Sequence, residues 1–492
     1  MSASSKFSRR EFLSYSGVGL AGLAATVWIP KKVFAAPPAA GTIKRLLILH
    51  AGGGMRSTAL FNADVAPQWN PYGWVSTTDT DTTGAPLLAS GVQWGVGKPL
   101  VGDKTPLTLM QWNGVKLPLV SQIANQITVL GAVDHDPSAD LGDGNHYSAT
   151  VRMCTGSENG QNGLLTMLSK ELDGQHPLPP TIVGGAGPIG ASVYGTGLGD
   201  LARYRPIYIN GPTDFRYPRA SGGNVDPDYV KAIESKLDND MVAARGNAMG
   251  GRAANFIIVK QLGLKYGAVL ATDALRLLYV PTAALGMTTD GKPLTNAMLG
   301  EPFGVAAGPP PPGFVTDQDW GGPTALGVRL LQLGAPVVSV GVGGWDFHSD
   351  EDRGLPPLAA SLGRALSALY FVLPRMADPG VPGKTYWDTT LIVVTSEFGR
   401  DNTSDTADGG LTIGYNRGNG SDHHGTNACR YQALPVMGGV IPGGRMLVGT
   451  DDQVKPMGRP QVSQSLLATL MQAIGVDPAK YFAAPTLPEV YG

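Results

Sequence analysis

An α/β fold with a mostly parallel central sheet and helices on both faces follows from three features of the 492-residue sequence. Two runs, Pro336–Val342 and Thr390–Thr395, are apolar at nearly every position, the pattern of strands buried on both faces. Between them Leu358–Met376 is long and apolar enough for a helix, giving strand, helix, strand. A third apolar run, Ile43–His50, enters the turn Gly52-Gly53-Gly54. Sheets of this kind carry their chemistry in loops beyond the carboxyl ends of the strands.

From the N-terminus onward, the first segment reads as a leader. Ser8-Arg9-Arg10-Glu11-Phe12-Leu13 resembles a twin-arginine export motif, and an apolar stretch runs from Tyr15 to Ile29. That stretch is shorter than the ~20 residues a membrane span needs. Lys31, Lys32 and Val33-Phe34-Ala35 then suggest cleavage after Ala35. Residues 1–35 carry Lys6, Arg9, Arg10, Lys31 and Lys32 against Glu11, a net +4, so the whole-chain charge of −2 becomes −6 in the remainder. A periplasmic or secreted location follows as an expectation, with no membrane span in the mature chain and no nucleic-acid footprint.

Residues 36–492 read as one large domain. Hydrophobic residues make up 42%, ample for a core, while charged residues make up 15%, against about 25% in an average domain. The 68 glycines and 39 prolines predict long loops around a compact scaffold, with some disorder. Residues 62–118 are rich in Asn, Asp, Thr, Gly and Trp and read as an elaborated loop region. From Pro118 the pattern gives a helix and then a strand. His146 to Thr155 leads to a helix around Leu164–Leu172, and Thr181 begins another short strand. Residues 228–285 have helical periodicity and read as an insertion. Residues 306–313 form a proline-rich loop. Leu326–Leu333 and Gln461–Ile474 are helical. Two cysteines, Cys154 and Cys429, exclude a disulfide scaffold and leave one pairing open.

Polar clusters follow the strand ends. Asp346 and His348 come first, then Ser396-Glu397-Phe398-Gly399-Arg400, then Asp422-His423-His424-Gly425. Carboxylates and imidazoles are the ligands of Zn²⁺ and similar ions, so Asp346, His348, Glu397, Asp422, His423 and His424 are candidate metal ligands. Glu397 and Arg400 read alternatively as a local ion pair, and His423-His424 as a solvated loop. Asp350, Glu351 and Asp352 read as a solvated helix entry. His50 and His146 are candidate substrate-binding residues. In the glycine turn Ser57 and Thr58 are candidate nucleophiles, or else part of a turn and helix cap. The turn is neither a P-loop nor a dinucleotide fingerprint.

In order of elements the chain resembles the exported bacterial family designated domain of unknown function 1501. The resemblance rests on the leader, the Gly-Gly turn, His146 with Thr155-Gly156, Gly344-Trp345-Asp346-Phe347-His348, Ser396–Arg400, Asp422–Gly425, and Gly438-Gly439 with Gly443-Gly444. That family is similar in turn to the alkaline phosphatase and sulfatase superfamily, which implies an alkaline-phosphatase-like fold and a divalent metal site. Asp346 and His348 resemble the first-metal ligands, with His423 or His424 as the late histidine of that site. Glu397 stands where the superfamily often has an aspartate of the second site. Phe398 stands at the second-site histidine, and His50 and glycines stand at an early aspartate. One site for Zn, Mn or Ca is therefore expected over two. Cys154-Thr155-Gly156 lacks the Pro and Arg of a formylglycine motif.

Two functions follow. One is a metal-dependent hydrolase of phosphate or sulfate esters, acting on a small-molecule substrate with Arg400 holding its anionic group. The other is a non-catalytic exported binding or assembly protein on a degenerate hydrolase scaffold, with another exported protein as partner. No cofactor fingerprint supports an oxidoreductase.

Overall fold

The computed structural model describes residues 42–62, 72–137, 144–185, 190–209, 282, 284–305, 319–348, 350–400, 403–405, 411–413, 430–451 and 454–492. The leader, nearly all of the 228–285 insertion, the whole proline-rich loop, Asp422, His423, His424 and Cys429 lie outside the described residues.

The architecture is α/β, organised by a nine-stranded sheet. Its strands are β1 (Arg45–Ala51), β2 (Ile127–Asp134), β3 (Thr181–Gly184), β4 (Ile207–Ile209), β5 (Val337–Val342), β6 (Thr390–Ser396), β7 (Tyr431–Met437), β8 (Met446–Leu447) and β9 (Gln461–Val462). The spatial order is β8-β2-β7-β6-β1-β5-β3-β4, with β9 also on β2. β1 pairs in parallel with β6 and β5, whereas β7 lies antiparallel between β6 and β2. Within this sheet β7 alone is reversed. Its neighbours β6 and β2 therefore point the same way as β1.

Period-two alternation splits the core between the two faces. Leu47, Leu49 and Ala51 of β1 join Val338, Val340, Ile392 and Val394 in one cluster. Helices α4 (Asn296–Phe303), α5 (Gly321–Gln332) and α6 (Glu351–Val372) contribute to it. Leu46 and Ile48 join Val337, Leu391 and Val393 on the other face. There α2 (His146–Thr155), α3 (Leu164–Glu171) and α7 (Ser463–Ala473) cover the sheet. Each such fully buried aliphatic contributes about 1.5–3 kcal/mol. A short helix, α1 (Ser57–Phe61), follows the glycine turn.

Three elements differ from the sequence expectation. α2 is a full helix, capped by the Asn145 side chain, which accepts the Tyr147 and Ser148 N–H groups at 3.0 and 3.3 Å. It ends at Gly156, whose φ of 78° is the left-handed conformation of a C-cap. α6 starts at Glu351 rather than Leu358 and runs through Pro356 and Pro357, its buried Leu355, Leu358 and Leu362 offsetting the lost donors. In β7 Pro435 sits opposite Val129 beside a register irregularity between Gln432 and Leu434. Among the described residues, Glu351–Arg375 is the one helical segment long and apolar enough to cross a membrane, and 67% of that apolar window is buried.

Candidate metal centre

Because β6, β1 and β5 are adjacent and parallel, their carboxyl ends deliver three chain segments to one place. After β5 the chain is held by alternation: Trp345 is fully buried, its ring 6.5 Å from that of Trp320, and Phe347 packs on Gly354. Asp346 and His348, two residues apart, thereby fall on the opposite, solvent-facing side. The glycine turn after β1 packs tightly against this segment. Gly53 has φ 118°, and a Cβ there would lie 2.5 Å from the Asp346 nitrogen. Gly54 has φ 80°, and its Cβ would lie 2.1 Å from the Phe398 ring. Neither position accepts a side chain.

His146, the first residue of α2, completes the cluster. Its Nε2 is 3.3 Å from Asp346 Oδ2, and His348 Nε2 is 3.0 Å from Asp346 Oδ1. One ligand atom from each of the three lies within 4.8 Å of the others. Atoms sharing one ion at ~2.1 Å lie ~3.4 Å apart in a tetrahedral site, so the set fits a single cation after a small side-chain adjustment. Side-chain exposure rises from 18% for His146 to 36% for Asp346 and 43% for His348, which leaves the cluster open to solvent on one side.

Behind these three lies a buried layer. His146 Nδ1 hydrogen-bonds Glu397 Oε1, and the Gly53 N–H donates to Glu397 Oε2 at 3.0 Å. Arg400 Nη2 pairs with Asp346 Oδ1. Burial by itself lowers the His146 imidazole, but the Asp346 and Glu397 carboxylates outweigh it and raise it to about 9. Burial opposes ionisation of Asp346, yet His146 and Arg400 hold its carboxyl well below the usual carboxylate range. Glu397, fully buried, is pushed up by desolvation despite its two hydrogen bonds. The Phe398 ring stands 5.0 Å from the His146 ring and 6.4 Å from that of His135, filling the space beneath the cluster.

The structure thus brings Asp346 and His348 together as expected and moves other residues to different work. His146, expected to bind substrate, stands in the ligand set. Ser57 and Thr58, read from the sequence as candidate nucleophiles, are both buried, and Ser57 Oγ accepts the Ala433 N–H at 2.8 Å. His50, read as a candidate substrate residue, is fully buried with Nδ1 3.2 Å from Thr395 Oγ1 and its ring edge-on to Tyr194. Glu397 has both oxygens engaged by His146 and Gly53 rather than facing the cluster's open side. Arg400 is buried and donates to Gly54 O at 2.7 Å, Gly53 O at 2.8 Å and Phe347 O at 3.3 Å, so its fork does not face an anionic ligand. Glu351 is not solvated either, since it is buried 3.8 Å from the equally buried Arg56. Cys154 is a free, buried thiol.

A family model described as "Protein of unknown function (DUF1501)" matches residues 283–486. That stretch is less than half of the chain. It contains Asp346, His348, Glu397 and Arg400 and leaves out His146. Among solved structures the chain is similar to alkaline phosphatase from the Antarctic bacterium TAB5, at 10% identity and a TM-score of 0.35, over 88% of this chain and 98% of that one. Among curated proteins no sequence matches.

Proposed function

We propose that the chain binds one divalent transition-metal ion through His146, Asp346 and His348 and uses it to hydrolyse a phosphate or sulfate ester outside the cytoplasm. The observation that carries the metal site is the convergence of three ligand atoms from three separate segments within 4.8 Å. Two imidazoles and one carboxylate suit Zn or Mn better than Ca, which takes oxygen ligands. When bound, such an ion supplies Lewis acidity and an activated water. The protein's own part is to orient the ligands, to keep one side open, and to hold Asp346 ionised beside Arg400. The resemblance to the phosphatase and sulfatase superfamily supports the ester reading.

A second reading has a specific observation behind it. The two hydroxyls next to the glycine turn are buried, which removes the expected protein nucleophile and favours a cation-dependent binding protein that docks another exported protein. Metal content and turnover separate the two. The mature chain, purified without chelators or a His-tag, should carry about one equivalent of Zn or Mn and cleave 4-nitrophenyl phosphate or sulfate. His348→Ala should lose the cation and keep the fold. A protein that takes up no Zn, Mn or Ca on incubation would overturn the site. Bound cation without turnover of either ester would overturn the hydrolase and leave the binding protein.

A further inference from the structure

The turn Gly52–Met55 is gripped from one side by the segment that leaves β6. Ser396 Oγ donates to Ala51 O at 2.7 Å and accepts the Met55 N–H at 2.8 Å. Glu397 accepts the Gly53 N–H, and Arg400 donates to the Gly53 and Gly54 carbonyls. The free ends of this bracket land on two of the three cluster residues: Glu397 on His146 Nδ1, and Arg400 on Asp346 Oδ1.

We infer that Glu397 and Arg400 are positioning residues that aim His146 and Asp346, braced against the Gly53–Gly54 backbone, and that neither is a metal ligand nor a holder of substrate. This rests on the cation reading above. An ionised carboxylate only accepts hydrogen bonds, so the proton of the His146–Glu397 bond sits on Nδ1 and Nε2 is the nitrogen turned toward Asp346. Arg400 fixes Asp346 through a planar fork that also donates to three backbone carbonyls. The side of Asp346 that meets His146 is Oδ2, the oxygen away from that fork. The bracket spans segments about 250–350 residues apart in sequence, from α2 and the β1 turn to the β6 exit, and it needs both glycines, because a Cβ at either would push the partners apart.

The test uses the full mature chain with Glu397→Gln, Glu397→Ala and Arg400→Lys, each checked for an unchanged circular dichroism spectrum. Two readouts are taken. The first is the His146 ring-nitrogen chemical shifts in ¹⁵N-histidine-labelled, cation-free protein, assigned with His146→Gln. The second is the stoichiometry and Kd for Zn²⁺ or Co²⁺. Recorded above the value of about 9 at which the His146 imidazolium gives up its second proton, the wild type should show the Nδ1–H tautomer. Glu397→Ala should lose that bias, and Glu397→Gln, which still offers an acceptor oxygen, should retain it. All three variants should keep one equivalent of cation, with Kd weakened by about ten- to a hundred-fold, least in Glu397→Gln.

Loss of the bound equivalent in Glu397→Gln at saturating cation would make Glu397 a ligand and overturn the inference. An unchanged Kd together with an unchanged His146 tautomer in Glu397→Ala would overturn it too. A wild type that binds no cation sinks the cation reading alone, and the tautomer readout then decides whether Glu397 sets His146.

Discussion

Lowering the pH from 7 to 5 should destabilise the fold by about 2 kcal/mol through His50 alone. The ring is fully buried, its Nδ1 meets Thr395 Oγ1 at 3.2 Å, and Nε2 has no hydrogen-bond partner among the described residues. Burial disfavours the imidazolium and pushes the group down from 6.5 to about 4. The unfolded chain therefore takes up the proton first. The contribution to stability is present in full above the unfolded value and is lost as pH falls through 6.5 toward 4. The fall from 6.5 to about 4 corresponds to about 3 kcal/mol in total, of which about 2 is gone by pH 5. The perturbation is His50→Asn, which offers Thr395 a polar partner and carries no proton in this range, with His50→Leu as a second non-titrating variant. Urea unfolding is followed by tryptophan fluorescence at pH 7 and pH 5 for all three proteins. The wild type should lose about 2 kcal/mol more between the two pH values than either variant. Equal losses in all three would refute the burial argument, whatever the absolute stabilities.

Other outcomes follow from single contacts. A free Zn²⁺ concentration of 100 times Kd should raise the unfolding free energy by about 2.7 kcal/mol, EDTA should reverse the gain, and His348→Ala should show neither change in the same urea titration. Gly54→Ala places a Cβ 2.1 Å from the Phe398 ring at a φ of 80°; on the order of 1–3 kcal/mol should be lost, with a shift in Phe398 ring resonances. Asp378→Ala removes the bidentate carboxylate partner of Arg45, at 2.6 and 3.0 Å, and leaves a largely buried guanidinium with Thr389 Oγ1 and the Tyr386 ring but no counter-charge; about 3 kcal/mol should be lost, and a urea midpoint equal to wild type would contradict this.

The parts of the fold legible in the sequence are those whose environment imposes a simple pattern. β1, β5 and β6 are buried on both faces, so they read as continuous apolar runs. β7 is as buried as they are, but Pro435 inside it argues against a central strand, and only the bulge beside it makes room. α2 escaped because its segment mixes Tyr, Ser, Thr and Val without a clear apolar stripe, although the Asn145 cap and Gly156 stop were there to be read. In the cluster, Asp346 and His348 were legible because their two-residue spacing carries the alternation that turns them outward together. The place of His146 was not, since its partners Asp346 and Glu397 lie 200 or more residues away and only the sheet order brings them to it. The burial of Ser57 and Thr58 was not legible either. Hydroxyls after a glycine turn suit a nucleophile, but α1 packs them inward, where Ser57 serves the Ala433 amide.

Stability does not account for the charged layer under the cluster. Glu397 and Arg400 are fully buried, and Asp346 and His146 partly so. Replacing buried ion pairs with well-packed apolar side chains of similar volume is often neutral or stabilising, whereas removing one partner costs about 3–5 kcal/mol. A fold that needed only a firm junction between β1, β5 and β6 had a cheaper solution at hand, since Phe398, Trp345 and Trp320 already pack there without charge. The polar bracket instead leaves each group with a defined orientation and points two of them at one solvent-facing spot shared with His348. Orientation is what a ligand set needs and what a hydrophobic contact does not supply. That asymmetry is the physical ground for reading the carboxyl edge of these three strands as a site rather than as a plug.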